Sequence, residues 1–325
     1  MSELLRVDQL QKVYILGSSF GGRRCMVRAV NGVSFTIGVG ETLGLVGESG
    51  CGKSTLGRLA LRLIPPTSGE VFFEGQSIYS LPNKRMTELR REMQIIFQDP
   101  FGSLNPKMKV GKLLSEPLIN HSINGNRKER LAQLLDFVGL PPDTLSAYPG
   151  QLSGGQQQRV AIARALATEP KFIVCDEPVS ALDVSIRAQV LNLFLEIQRR
   201  LGISYLFISH DLSVIRHISD RVAVMYLGKI VELAPNLDLF AQPKHPYTEA
   251  LLSAILLPDP DEEARRHRII LKGDIPSPIN LPPGCAFHTR CLKAVPECRL
   301  EVPELKLVCG SQHFAACHLA KRVGS

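Results

Sequence analysis

Apolar and polar positions along the chain alternate between two kinds of pattern. The stretch ETLGLVGESGCGKSTLGRLALRLI (41–64) opens as a short apolar run, passes through a glycine-rich turn and closes with apolar residues at helical spacing. That order predicts strand, turn and helix. It recurs from KFIVCDEP (171–178) to AQVLNLFLEIQRRLG (188–202), followed by the apolar runs ISYLFISH (203–210) and RVAVMYLGKIVEL (221–233). Residues 1–40 read as short alternating segments, with SSFGGRR (18–24) as a hairpin tip, and residues 71–98 as further strands ending in MQIIFQ. From about 107 to 150 the spacing turns helical, most clearly in ERLAQLLDFVGL (129–140). Strands alternating with helices predict an α/β fold whose mostly parallel sheet is covered on both faces. The pattern breaks after about residue 255: LPDPDEEARRHR (257–268) is charged, and IPSPINLPPG (275–284) is proline-rich and expected to run extended. Residues 1–255 therefore read as one large domain and 256–325 as a small C-terminal appendage with its own organisation.

Composition refines this modestly. A chain of 325 residues, 44% hydrophobic and 21% charged, buries a core without staples. The formal net charge of +7 suits an anionic ligand, a nucleic acid or an anionic membrane surface and does not choose among them. No apolar run approaches the ~18–20 residues of a membrane helix, and the N-terminal MSELLRVDQLQK has no apolar core or cleavage site. The expectation is a chain kept in the cytosol that reaches a membrane only by docking to a partner. Eight cysteines in such a chain point to metal binding or buried thiols rather than disulfides.

Candidate chemistry is concentrated in three places. Gly47-Glu48-Ser49-Gly50-Cys51-Gly52-Lys53-Ser54-Thr55 has the form G-x4-G-K-[ST] between a strand and a helix. Glycines let backbone wrap phosphates, and the helix start aims free N–H groups at them. Lys53 suits the β and γ phosphates, Ser54 a Mg²⁺ ion, and Thr55 a further phosphate contact. The apolar run FIVCDE (172–177) ends in Asp176, placed to hold Mg²⁺, and Glu177, placed to polarise an attacking water. In LSGGQQQR (152–159), Ser153, Gly154 and Gly155 precede a helix expected to start near Gln156, a second place for phosphate.

GESGCGKST, LSGGQQQR, FIVCDEP, SALD and ISHD, in that order, make residues 5–255 resemble the ATP-binding cassette family. The resemblance implies a P-loop fold with a mixed sheet core, an N-terminal antiparallel β subdomain and a helical subdomain at about 100–165. It also implies ATP and Mg²⁺, and head-to-tail pairing in which each ATP lies between one subunit's P-loop and the other's LSGGQ. By position, Tyr14 looks like the residue that stacks on adenine, although as a residue it equally suits a half-buried strand. Gln98 looks like the glutamine that contacts Mg²⁺ and water, Asp183 like the residue that speaks across the dimer, and His210 like the histidine that touches the γ-phosphate and orients Glu177. QDPFGSLNPKMKVGKLLSEPL (98–118) occupies the region that receives a permease. EPVSALDVSIRAQVLNL (177–193) and HPYTEALLSA (245–254) resemble oligopeptide and dipeptide importers, specifically the second of their two ATPase subunits, with nickel and glutathione importers sharing the wording. The implied partners are a homologous second ATPase, two transmembrane permeases and, indirectly, an extracytoplasmic binding protein, at the cytoplasmic face of the inner membrane. Soluble cassettes acting on nucleic acid are the other class. They usually carry fused cassettes, a coiled coil or a zinc insertion, whereas this chain reads as one cassette with no sustained heptads, and its basic residues form no stripe.

Cys285, Cys291, Cys298 and Cys317 follow C-x5-C-x6-C-x18-C, with Cys309 extra. The residues alone leave open tetrahedral zinc, an iron–sulfur cluster or plain thiols, and none of the spacings is that of a zinc ribbon. The peptide-importer resemblance implies a [4Fe–4S] cluster at these four positions. Cys309 is an alternative to Cys317, and His288, His313 and His318 are further candidate ligands. Cys25, Cys51 and Cys175 are expected to be ordinary core or loop residues.

Overall fold

The structure, a computed structural model, describes residues 2–17, 25–254, 269–310 and 312–320. The expected hairpin tip at 18–24 and the charged stretch 257–268 lie outside the described residues. The chain divides into two compact units: Met1–Leu5, Ile37–Thr42 and Phe73–Ser209 form the first, and Arg6–Thr36, Leu43–Phe72 and His210–Ser325 the second.

In the first unit, β6 (Met93–Ile96), β7 (Phe172–Asp176) and β8 (Ser204–Ile208) form a parallel ladder, with Met93 opposite Phe172 and Phe172 opposite Ser204. Every residue of β7 and β8 is buried, which is why both read as unbroken apolar runs rather than alternating ones. Helix α7 (Val184–Leu201) connects them and buries Val190, Leu191, Leu193, Phe194 and Ile197. The Phe194 ring meets Tyr205 and Phe207 edge-on, with centroids 5.7 and 5.5 Å away. The helix stops at Gly202, which supplies the left-handed C-terminal turn.

Helices α4 (Val110–Asn120), α5 (Arg127–Phe137) and α6 (Gly154–Leu166) pack on one another as the helical layer expected from the spacing. One helix in this unit, α2 (Asn83–Leu89), falls where the pattern predicts strands. It buries only Met86, so it carries no apolar stripe to announce it.

The second unit holds all but the end residues of β1 (Glu3–Leu16), β2 (Cys25–Gly38) and β4 (Ser68–Phe73), in the order β2-β1-β4. Each of the first two is one strand of 14 residues, not the short segments that the alternation suggests. Gln9 in β1 takes a left-handed φ of 44°, and Ser34 of β2 accepts hydrogen bonds from its backbone and side-chain nitrogens at 2.9 and 3.1 Å. That kink breaks the two-residue period inside a continuous strand.

The main ladder of this unit starts with β3 (Thr42–Val46), parallel to β9 (Arg221–Tyr226). Strand β9 pairs antiparallel with β10 (Lys229–Pro235), and the chain's last strands, β11 (Lys306–Cys309) and β12 (His313–Ala315), continue from there, with Glu232 opposite Ala315 and Leu233 opposite Phe314. The tail therefore adds to the ladder rather than folding independently of it. Among the described residues, no helix is long and apolar enough to cross a membrane.

Candidate nucleotide-binding site

The glycine-rich loop Gly47–Gly52 leaves β3 and enters α1 (Lys53–Ala60). Gly52 caps the helix at φ 110°, and a Cβ there would come within 2.0 Å of the Ala29 carbonyl oxygen, so only glycine fits. Ser49 and Gly50 are exposed, while Ser54 and Thr55 are half-buried in the first helical turn. Lys53 is buried, and its Nζ donates to the carbonyl oxygens of Gly47 (2.7 Å) and Glu48 (3.1 Å). The loop's own carbonyls thus hold the ammonium across the cradle. Burial raises the Cys51 thiol, and Lys53 opposes that only in part, so the sulfur is a packing group.

The second residue of the loop, Glu48, is held from the far end of the sequence. Its backbone N–H donates to the Tyr247 hydroxyl at 2.9 Å. Its carboxylate receives both terminal nitrogens of Arg290, at 2.8 and 3.0 Å, and Arg290 is only 9% exposed. Tyr247 lies in the first turn of α10 (Pro246–Ser253), capped by His245, whose Nδ1 accepts the Tyr247 N–H at 3.1 Å. Burial pushes His245 down to about 4, against a smaller opposing pull from Glu232, so the ring is neutral and free to accept. Phe287 fills the space beside Tyr226, Tyr247 and His245, with centroids 5.3, 5.3 and 5.6 Å away. Below this cluster the buried Glu232 accepts the backbone N–H groups of Lys244 (2.6 Å) and His245 (3.0 Å) and meets His313 Nε2 at 2.7 Å. Sequence reasoning missed Glu232, Tyr247 and Arg290. The wording HPYTEALLSA stood out, but no spacing relates Tyr247 and Arg290 to a loop 199 and 242 residues away.

In the first unit, buried Asp176 ends β7, and Glu177 follows at φ 49°, its N–H donating to the Ile208 carbonyl at 3.0 Å. The Glu177 carboxylate accepts from Gln98 Nε2 at 3.2 Å, so two of the residues singled out from sequence stand together. Ser180 donates to the Glu177 carbonyl through both its N–H and its hydroxyl, closing the turn. Asp183 is exposed as the N-cap of α7.

Ser153 caps α6, which starts at Gly154, two residues before the expected position. A capping box sets this start: Ser153 Oγ accepts the Gln156 N–H at 3.3 Å, and Gln156 Oε1 accepts the Ser153 N–H at 2.9 Å. A Cβ on Gly155 would press within 2.5 Å of the Ile186 side chain, so the helix start can lie against α7 only without one. In the second unit, Tyr14 presents a 38% exposed side chain on β1, with Lys12 Nζ 5.1 Å from its ring centroid. His210 is exposed just before α8 (Leu212–Ile218).

The tail cysteines fall into two kinds. Cys285 is raised to about 11, first by burial and then by Cys298, Cys317 and Cys291. Cys291 and Cys317 are likewise raised mainly by burial, and each also feels Cys298. Cys285, Cys291 and Cys317 are partly buried and Cys298 is buried, while Cys309 is exposed at the end of β11. The candidate histidines have other engagements: His288 Nδ1 with the Cys285 carbonyl (2.8 Å), His318 Nε2 with the Glu301 carbonyl (3.0 Å), and His313 with Glu232. Among the described residues, no group of three or more His, Cys, Asp or Glu is arranged to hold a single metal ion. Cys51 and Cys175 are buried and Cys25 is partly so, as expected of core and loop residues.

A phosphate loop feeding a helix, a strand ending in Asp-Glu with a glutamine on the second acid, and a capped SGGQ helix define an ATPase of the ABC transporter class. A family model described as "ABC transporter" matches residues 30–180, and one described as "Oligopeptide/dipeptide transporter, C-terminal region" matches 231–298. The chain is 50% identical over 319 residues to the putative oligopeptide transport ATP-binding protein YkfD of Bacillus subtilis strain 168, covering 97% of this chain and 95% of that relative. It is 50% identical over 320 residues to the oligopeptide transport ATP-binding protein AppF of the same strain, covering 97% of each. To a putative peptide import ATP-binding protein of Brucella ovis it is 54% identical over 304 residues, or 93% of this chain and 95% of that one. Among solved structures, the ATP-binding cassette MJ0796, a dimer in a post-hydrolysis state bound to ADP and Pi, superposes with TM-score 0.64 at 29% identity, covering 72% of this chain and 99% of that one. The chain belongs to the ATP-binding subunits of ABC transporters of the oligopeptide/dipeptide group. Its fold is accordingly the P-loop α/β fold with a mixed main sheet and an antiparallel β subdomain.

Proposed function

We propose that the chain is the ATP-hydrolysing motor of a di- or oligopeptide importer, with residues 1–255 as the cassette and 256–325 as its extension. The observation that carries the reading is the Gln98–Glu177 pair at the end of β7. A carboxylate anchored by an amide donor, one residue past a buried aspartate, is what activation of a water requires. Lys53, Ser54 and Thr55 with the loop amides take the phosphates, and Ser54, Asp176 and Gln98 take Mg²⁺. Glu177 accepts the water's proton, and His210 contacts the γ-phosphate. Tyr14 stacks on adenine. Catalysis is then positioning and electrostatics rather than covalent chemistry.

Ser153 to Gln156, with Asp183, serve the nucleotide of a partner cassette. The exposure of Ser153 and Asp183 and the dimeric state of MJ0796 support that assignment. The partner is a homologous second ATPase, and the pair works on two permeases at the inner face of the membrane. ATP closes the pair, and hydrolysis reopens it. Reconstituted with those subunits and a binding protein, the assembly is expected to raise its ATPase rate severalfold with peptide. Stimulation by nickel or glutathione but not by peptides overturns the substrate class.

We propose further that Cys285, Cys291, Cys298 and Cys317 hold a [4Fe–4S] cluster. The reading rests on the four cysteines as an all-thiol donor set whose charges influence one another, Cys285 being raised also by Cys298, Cys317 and Cys291. Such a cluster supplies a structural tie for a segment with little core of its own. Anaerobically purified protein is expected to carry about four irons and four sulfides per chain. A colourless, iron-free preparation refutes the cluster.

A further inference from the structure

The Glu48–Arg290 pair is costly as mere decoration. Glu48 places a negative charge in the second position of a loop read as a phosphate cradle, where a bare carboxylate repels the phosphates. Arg290 answers it with a two-pronged contact largely out of water. The same residue is also pinned at its amide by Tyr247 and at its carbonyl by Lys53, so all three of its polar groups are fixed.

Arg290 is itself held by the cysteine-bearing segment. Its N–H donates to the Phe287 carbonyl at 3.0 Å, and Phe287 is buried among Tyr226, Tyr247 and His245. Two residues before Phe287, the Cys285 N–H donates to the Cys298 carbonyl at 2.8 Å. The turn at Gly284 runs so close that a Cβ would lie 2.5 Å from that same oxygen. Cys291 follows Arg290 directly.

We infer that Arg290 is a positioning residue for the nucleotide loop: by neutralising and fixing Glu48, it lets the C-terminal extension set how tightly the chain holds ATP. The inference rests on the proposed reading of residues 47–55 as the phosphate cradle.

The test is equilibrium titration of the full chain with a non-hydrolysable ATP analogue and Mg²⁺, alongside the Tm of the nucleotide-free protein. Arg290→Ala is expected to weaken binding tenfold or more. Arg290→Lys, which keeps the charge and loses the fork, is expected to weaken it about threefold. The discriminating variant is the double Glu48→Gln with Arg290→Ala: removing the bare carboxylate recovers at least threefold of the loss, whether or not Tm recovers. A merely structural arginine gives no such rescue. Binding by Arg290→Ala within twofold of wild type, or a double variant as weak as the single, overturns the inference. If Arg290→Ala does not fold, Arg290→Lys decides: binding within 1.5-fold of wild type overturns it. Lys53→Ala separates the two readings. Undiminished binding by that variant sinks the cradle assignment itself, whereas lost binding beside an unaffected Arg290→Ala sinks only the role of Arg290.

Discussion

Glu177→Gln is expected to bind ATP normally and to hydrolyse it at least ~100-fold more slowly. The substitution keeps the length and shape of the side chain, and its carbonyl oxygen still accepts the hydrogen bond that Gln98 donates at 3.2 Å. The backbone has no reason to move either, because the Glu177 N–H remains on the Ile208 carbonyl and its own carbonyl on Ser180. What is lost is the basic oxygen to which the proposed mechanism gives the water's proton. Glu177 also sits at φ 49°, a left-handed conformation that costs a residue with a Cβ on the order of 1 kcal/mol or more. That conformation aims its side chain off the end of β7, and a glutamine inherits the same aim and the same cost. Single-turnover hydrolysis, with bound nucleotide measured separately, reads the result. A hydrolysis rate near wild type would remove Glu177 from the role of base.

Glu232→Ala is expected to destabilise the chain by about 3–5 kcal/mol, the usual scale for stripping one side of a buried charged network. Glu232 is fully buried and gathers three donors: the N–H groups of Lys244 and His245 and the ring of His313. Alanine leaves all three without an acceptor in a place water does not reach. The damage falls at the joint between β10, β12 and the start of α10, because those donors come from 244, 245 and 313. Glu232→Gln keeps one acceptor oxygen but turns an amide toward a donor, so it should fall between. Urea unfolding monitored by circular dichroism gives both values, and an alanine variant within 1 kcal/mol of wild type contradicts this account.

The sequence was most readable where one strand or helix carries both a fold signal and its chemistry. FIVCDE announces a buried strand through its apolar run and puts two acids at its end, and β7 is buried throughout with Asp176 as its last residue. GESGCGKST is legible for the same reason: its glycines are demanded by local backbone geometry, as Gly52 against Ala29 illustrates. The helix start at Ser153 was misplaced by two residues because the capping box acts through side chains, which hydrophobic spacing does not register. Helix α2 has no apolar face to signal it, and the kink at Gln9 interrupts the alternation along β1. Glu232, Tyr247 and Arg290 were out of reach for a different reason. Each earns its place by contact with residues far off in sequence, and a single chain's spacing carries no record of such meetings.

Glu48 and Arg290 stand 242 residues apart, which gives the loop a history as well as a shape. On a ribosome adding ~5–20 residues per second, the glycine-rich loop emerges roughly 10–50 s before the arginine that fixes it. Until then its carboxylate has only water for company. A chain cut short before the extension carries the whole GESGCGKST sequence without this brace, so the cell's unfinished copies would be poor competitors for nucleotide. By the role inferred for Arg290, a firm hold on ATP comes late in synthesis, with the tail.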